Sequence, residues 1–333
     1  MQYPFIKIPR VTATDANAAM DQLFELFHDH YPYIISEDKN SWKFGLCWPT
    51  SLQWYVDTNV ESVAFKLFGL HLESIAPFYQ MRKIGKVDFL FSMFHSRALI
   101  AASYSTQRHK GISFTHIIHI DDHTDLMPPL LHFDGSLGKL FDPLFMHQVD
   151  IMIPESIKAA IDLGLISKGS FLTSYLLMSP PGRLIHVCET LKEKECWLTT
   201  TSLKYSLGGK DFKRTGVVLQ NEPLLGSWHF SQTPNLPHDL SLGIDESVWL
   251  DIDLDAFCNR YDGDSSRSAQ RTTVQEYHKM VRRIEQFLNE LSYASWVSNI
   301  QAVSVAVSPG FFPSDYWASA IPAICDGIRK ILC

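Results

Sequence analysis

The side chains with the greatest chemical capacity lie in two short acidic segments. One is His119-Ile120-Asp121-Asp122-His123-Thr124-Asp125-Leu126, which follows the apolar pair Ile117-Ile118; the other is Leu250-Asp251-Ile252-Asp253-Leu254-Asp255. Each ends a hydrophobic run in charges that a folded interior rejects without a partner. Alternate residues of an extended segment face the same way, so Asp121, His123 and Asp125 share one side, as do Asp251 and Asp253. Leu250, Ile252 and Leu254 take the opposite side and anchor the second segment in apolar packing. His95, at the end of the apolar run over 87–94, completes a set of six. Clustered carboxylates repel one another and lose hydration on burial. Two divalent ions would bring four positive charges against four carboxylates, so the set predicts a two-metal centre. Carboxylate oxygen and imidazole nitrogen suit manganese without excluding zinc or iron. His119 is expected to be structural, directed away from His123.

To bring these groups together, strands must end where the acids begin. Residues 87–94 read as a buried strand, 96–108 with Ala98, Leu99, Ala101 and Ala102 as a helix, and 114–120 as the next strand. That spacing fits a right-handed crossover in a parallel sheet. Pro154-Glu155-Ser156-Ile157 begins a helix, and 171–178 reads as a strand broken by Ser179-Pro180-Pro181-Gly182. Over 273–292, Thr273 and Glu276 form a capping box, while Val274, Tyr277, Val281, Ile284, Leu288 and Leu291 recur on one helical face. A strand over 303–307 stops at Ser308-Pro309-Gly310, and Ile321, Ile324 and Ile328 mark a last helix. The alternation predicts a doubly wound α/β fold with helices on both faces of a mostly parallel sheet. Ligands in such sheets meet the carboxyl ends of strands, where both acidic segments fall.

No linker or internal repeat interrupts the chain, so a single domain over 1–333 is expected. Residues 1–85 form its less legible extension, packed on the catalytic body, with an amphipathic helix over 15–28. Trp42, Trp48, Trp54 and Trp228 are expected to fill the core. Prolines, glycines and aromatics over 132–153 and 203–246 read as loops framing a groove or covering the body.

The chain is 46% hydrophobic, without an apolar run long enough to cross a bilayer. Residues 1–10 lack the apolar core of a secretion signal, so a cytoplasmic location is expected. The net charge of -7, with 29 basic and 36 acidic side chains and no basic tract, argues against a nucleic-acid partner and suits a cationic substrate. The six cysteines include no CxxC pair, so neither a zinc knuckle nor a dithiol redox motif is indicated.

Taken together, His95, Asp121-Asp122-His123-Thr124-Asp125 and Leu250-Asp251-Ile252-Asp253 resemble the arginase/ureohydrolase superfamily. The wording over 118–126 and Val305-Ala306-Val307-Ser308-Pro309-Gly310 looks closest to a branch that includes peptide arginases of bacterial peptide-modification pathways. The resemblance covers roughly residues 85–333 and implies a three-layer, arginase-like α/β/α fold. It implies two Mn2+ ions, one held by His95, Asp121, Asp125 and Asp251, the other by His123, Asp121, Asp251 and Asp253, with Asp121 and Asp251 bridging. The implied reaction hydrolyses arginine side chains of a precursor peptide to ornithine and urea. Asp125 would orient the attacking oxygen, and His132 would deliver a proton to the leaving amine, with His147 and His229 as alternatives. Glu276 would meet the guanidinium if it is not simply a capping acid, ahead of Asp315 and Glu155.

No polar loop for a free α-amino acid head group follows Asp125, where the chain runs Leu126-Met127-Pro128-Pro129. Peptide substrates are therefore expected ahead of free arginine, agmatine or another guanidino compound. A single-metal deacylase does not account for His95 and Asp125 together. A noncatalytic metal-binding interaction protein is the alternative from outside enzymology.

Overall fold

The computed structural model describes residues 5–13, 15–111, 113–134, 139–144, 147–190, 192–268 and 272–333, apart from the side chains of Gln53 and Trp54. The core role expected for Trp54 therefore lies outside the described residues, as does part of the segment over 132–153.

A nine-stranded sheet organises the molecule. Its strands, in chain order, are β1 (Tyr79–Ile84), β2 (Val87–Ser92), β3 (His116–Ile120), β4 (Arg183–Val187), β5 (Lys194–Leu207), β6 (Lys210–Gln220), β7 (Trp228–Thr233), β8 (Val248–Asp253) and β9 (Ile300–Ala306). They lie side by side as β6-β5-β7-β4-β3-β8-β9-β2-β1. The run from β7 to β2 is parallel throughout. The flanking strands β1, β5 and β6 are antiparallel. The chain is thus an α/β protein with a large, mostly parallel central sheet.

The pleat separates two apolar cores. Ile117, Leu184, Trp249 and Ala302 pack among residues of the helices Ala98–Arg108, Pro154–Asp162 and Phe171–Met178. Their chain neighbours Ile118, Ile185, Leu250 and Val303 pack with the helices Val274–Tyr293 and Trp317–Leu332. A strand buried on both faces reads as a continuous apolar run, which is why β2, β3 and β8 stand out in the sequence. Residues before residue 85 join the first core through Ile6, Ile8, Leu23, Phe27, Trp42 and Phe44. Trp42 and Trp228 are buried, whereas Trp48 is half-buried.

Some elements differ from expectation. Phe171–Met178 is an α-helix, not a strand. Seven of its eight residues are buried, so it lacks a polar face, and periodicity cannot distinguish such a helix from a short buried strand. The segments read as loops contain ordered strands. His132–Asp134, Lys139–Phe141 and Gln148–Val149 form a small antiparallel sheet. Much of the stretch over 203–246 belongs to the long β5–β6 hairpin and β7. Gly208 and Gly209 join β5 to β6 with φ of 57° and 75°, a turn that needs left-handed backbone twice in succession. Among the described residues no helix is long and apolar enough to cross a membrane.

Candidate metal centre

The parallel strands deliver their carboxyl ends to one cavity of about 290 Å³. His95 opens the short turn His95–Arg97 just beyond β2. Asp121 follows β3, and Asp253 is the last residue of β8. Asp255 lies in the single turn Leu254–Ala256, whose start Asp253 caps by accepting the Asp255 N–H at 3.1 Å. His95, Asp121, His123, Asp125, Asp253 and Asp255 all line the cavity. Asp125 reaches it through a φ of +50°, a left-handed conformation that aspartate tolerates better than most side chains.

His95 is the hub. Its Nδ1 lies 3.1 Å from Asp121 Oδ2, 3.1 Å from Asp125 Oδ2 and 3.0 Å from Asp253 Oδ2. Its Nε2 lies 2.9 Å from Asp251 Oδ2. An ionised carboxylate only accepts, so Asp251 holds the proton on Nε2 and leaves Nδ1 facing the three other acids. Burial opposes charge on His95, but Asp251 and Asp253, aided by Asp121 and Asp125, raise its pKa well above the ordinary value. His123 is similarly engaged: Nδ1 lies 3.2 Å from Asp255 Oδ2 and 3.4 Å from Asp121 Oδ1. Hydrogen bonds to Asp121 and Asp255 push its pKa up to about 12. The acids divide: burial opposes charge on Asp121, but polar contacts with His123 and His95 hold its pKa well below the ordinary value. Burial and the neighbouring Asp121 push Asp125 up to about 6, and burial with Asp253 and Asp121 raises Asp255 well above the carboxylate range.

Asp251 departs from the predicted role. It is fully buried and does not line the cavity. In the sheet register it stands between His119 of β3 and Ser304 of β9, one row beneath the cavity. His119 Nδ1 lies 2.8 Å from Asp251 Oδ2, and Ser304 Oγ donates to Asp251 Oδ1 at 2.5 Å. Trp249 Nε1 in turn donates to Ser304 Oγ at 2.8 Å. Asp251 thus orients His95 from below, and Asp255 takes the cavity place that the sequence reading gave to Asp251.

His119 also needs correction. It is wholly buried on the same side as Asp121, because residues two apart in a strand share a face. Its Nδ1 faces Asp251, while Nε2 lies 3.1 Å from the His123 carbonyl oxygen. Both ring nitrogens therefore face acceptors. Burial opposes its charge, yet the hydrogen bond to Asp251 and the charge of Asp121 raise its pKa. An imidazolium there offsets Asp251 and leaves Asp121, Asp125, Asp253 and Asp255 as the cavity carboxylates.

These residues could hold a metal ion. His95 Nδ1 and Asp121 Oδ2 are buried and 3.1 Å apart, in ion-pair contact without good hydrogen-bond alignment. The ligating atoms of His95, Asp121 and Asp125 lie within 4.8 Å of one another, as do those of Asp121, His123 and Asp255, with Asp121 common to both groups. His95, His119 and Asp251 form a third such group, wholly buried, with His119 and Asp251 one row beneath the cavity.

The other predicted residues lie elsewhere. His132 belongs to the small antiparallel sheet, and Glu276 to the start of the Val274–Tyr293 helix; neither lines the cavity. Glu276 completes the capping box with Thr273 and pairs with Arg260 at 2.5 Å. Asp315 accepts from Thr272 at 2.8 Å, and Glu155 lies in the first turn of its helix. His147 and His229 are likewise absent from the cavity wall. Sequence reasoning missed Asp255, His28 and Lys168, which are part of that wall. Asp255 had a signal, being the third acid of a DxDxD run; the other two carried none. No known family model matches this chain, and no curated protein matches it.

Proposed function

We propose that the chain is a binuclear metal-dependent amidinohydrolase that converts arginine side chains of a peptide to ornithine with release of urea. The observation that carries this reading is the convergence of His95, Asp121, His123, Asp125, Asp253 and Asp255 on one cavity. Four carboxylates there match the charge of two divalent cations, with manganese favoured by the oxygen and nitrogen donors. His95, Asp121, Asp125 and Asp253 would hold one ion; Asp121, His123, Asp253 and Asp255 would hold the other. Such ions, when bound, supply Lewis-acid activation of water.

The chain's own residues do the rest. Asp251 and His119 set the tautomer and direction of His95 from beneath. Asp125, turned into the cavity, is placed to orient the attacking oxygen. Water adds to the guanidinium carbon, the bond from that carbon to the side-chain nitrogen breaks, and the proton passes to the leaving amine. A cavity of about 290 Å³ suits one side chain rather than a folded segment of peptide.

The test is incubation of the manganese-loaded protein with arginine-containing peptides, free arginine and agmatine. Urea should appear with the peptides, and their mass should fall by one cyanamide equivalent per converted arginine. Full metal loading without urea from any of these compounds would sink the reading.

A further inference from the structure

The cavity wall also carries a cation. Among the described residues lining the cavity, Lys168 is the only lysine or arginine. Its backbone is tightly held: the Lys168 N–H donates to Asp29 Oδ2 at 2.6 Å, and Met127 N–H donates to the carbonyl of the next residue, Gly169, at 2.8 Å. Ser167 N–H donates to Ser170 Oγ at 2.9 Å, closing the turn before the Phe171–Met178 helix. The ammonium lies 4.5 Å from the centre of the Phe311 ring and 5.6 Å from that of Phe94. Phenyl faces attract a cation but do not neutralise it. Among the described residues Lys168 makes no ion pair with a carboxylate.

We propose that Lys168 binds a carboxylate of the substrate, so that the molecule entering this cavity carries an anionic group as well as the group that reacts. The proposal rests on the amidinohydrolase reading for the identity of the reacting end, though not for the anion site. Once two divalent cations balance Asp121, Asp125, Asp253 and Asp255, Lys168, which lies near the buried Asp29 but in ion-pair contact with no described carboxylate, remains a cation of the cavity wall. A purely cationic substrate such as agmatine would meet repulsion there, whereas a guanidino acid would have a partner at each end. The carboxylate has two sources, the substrate's own acid group or an acidic residue beside the target arginine in a peptide.

Calorimetry on the manganese-loaded full chain separates these possibilities, using 4-guanidinobutyrate, agmatine and valerate as probes. A Lys168→Met variant keeps much of the apolar stem and removes the charge; its melting curve serves as the folding control. It should weaken 4-guanidinobutyrate and valerate by about 10-fold or more, the scale of a lost charge-assisted hydrogen bond. Agmatine should bind no worse. A peptide with Asp beside Arg, compared with its Asn counterpart, assigns the carboxylate to the neighbour if Lys168 governs the difference, and to the substrate's own acid group if only 4-guanidinobutyrate responds. Unchanged affinity for both carboxylate probes in a well-folded Lys168→Met protein overturns the proposal. Lys168-dependent valerate binding without any contribution from a guanidinium would uphold the anion site while counting against the urea-releasing reading.

Discussion

At the scale of single residues, the site turns on which two acids of Asp251, Asp253 and Asp255 face the cavity. Strand alternation treats all three alike, because each is two residues from the next. Their differences arise at the end of β8, where Asp253 is the last residue paired with β9 and Asp255 lies in the turn beyond. Asp251, one row deeper, finds His95, His119 and Ser304. The two positions therefore predict different losses. Asp255→Asn should cost one of two bound manganese ions, measured by metal analysis after dialysis. Asp251→Asn should retain both sites and weaken affinity about 10- to 100-fold, the usual consequence of removing a group that orients a ligand. Loss of both ions in Asp251→Asn, with full occupancy in Asp255→Asn, would reverse these assignments.

The elements themselves were legible to differing degrees. β2, β3, β8 and β9 announce themselves as apolar runs because both faces of each strand are covered by helices. The Val274–Tyr293 helix announces itself by its opposite character, an apolar stripe on a polar body begun by the Thr273–Glu276 box. That box separates the two roles weighed for Glu276. Its carboxylate accepts from the Thr273 N–H at 2.9 Å and pairs with the largely buried Arg260. Glu276→Ala should lower stability by about 1 kcal/mol, as for loss of a helix cap, with some addition from the partner removed from Arg260. Chemical denaturation measures that loss, and the KM for any guanidino substrate should be unchanged below the transition. A raised KM at unchanged stability would restore Glu276 to substrate contact. Phe171–Met178 escaped correct reading because a two-turn helix buried at all but its last residue presents no stripe. Its start nevertheless matters, since the turn before it carries Lys168 to the cavity.

At the scale of the molecule, described residues before residue 85 pack on the core and reach the cavity. His28 lines the cavity, Asp29 holds the Lys168 backbone, and His30 is wholly buried with its ring 4.0 Å from that of Trp48. Burial, only partly offset by Asp162, lowers the His30 pKa to about 3, and neither ring nitrogen has a hydrogen-bond partner. Its folded pKa lies below the unfolded value of 6.5, so the unfolded chain binds a proton that the native chain refuses. The stability is fully present above pH 6.5 and is lost as pH falls from there toward about 3. The slope approaches about 1.4 kcal/mol per pH unit for one proton. Urea denaturation of wild type and His30→Phe between pH 8 and 5 checks this, because the variant should lack this component of the acid sensitivity. Parallel curves would show that His30 does not supply it.

Local patterns were enough to place His95, Asp121, His123, Asp125 and Asp253 near strand ends and to suggest a metal ion, because buried like charges require compensation wherever they meet. Periodicity also disclosed an α/β sheet covered on both faces. Neither the choice of Asp255 over Asp251 nor the arrival of His28 and Lys168 was written in any local pattern. Those outcomes depend on where the pairing of β8 ends and on which distant segments pack across the sheet's carboxyl edge, and both are set by contacts between residues far apart in the chain.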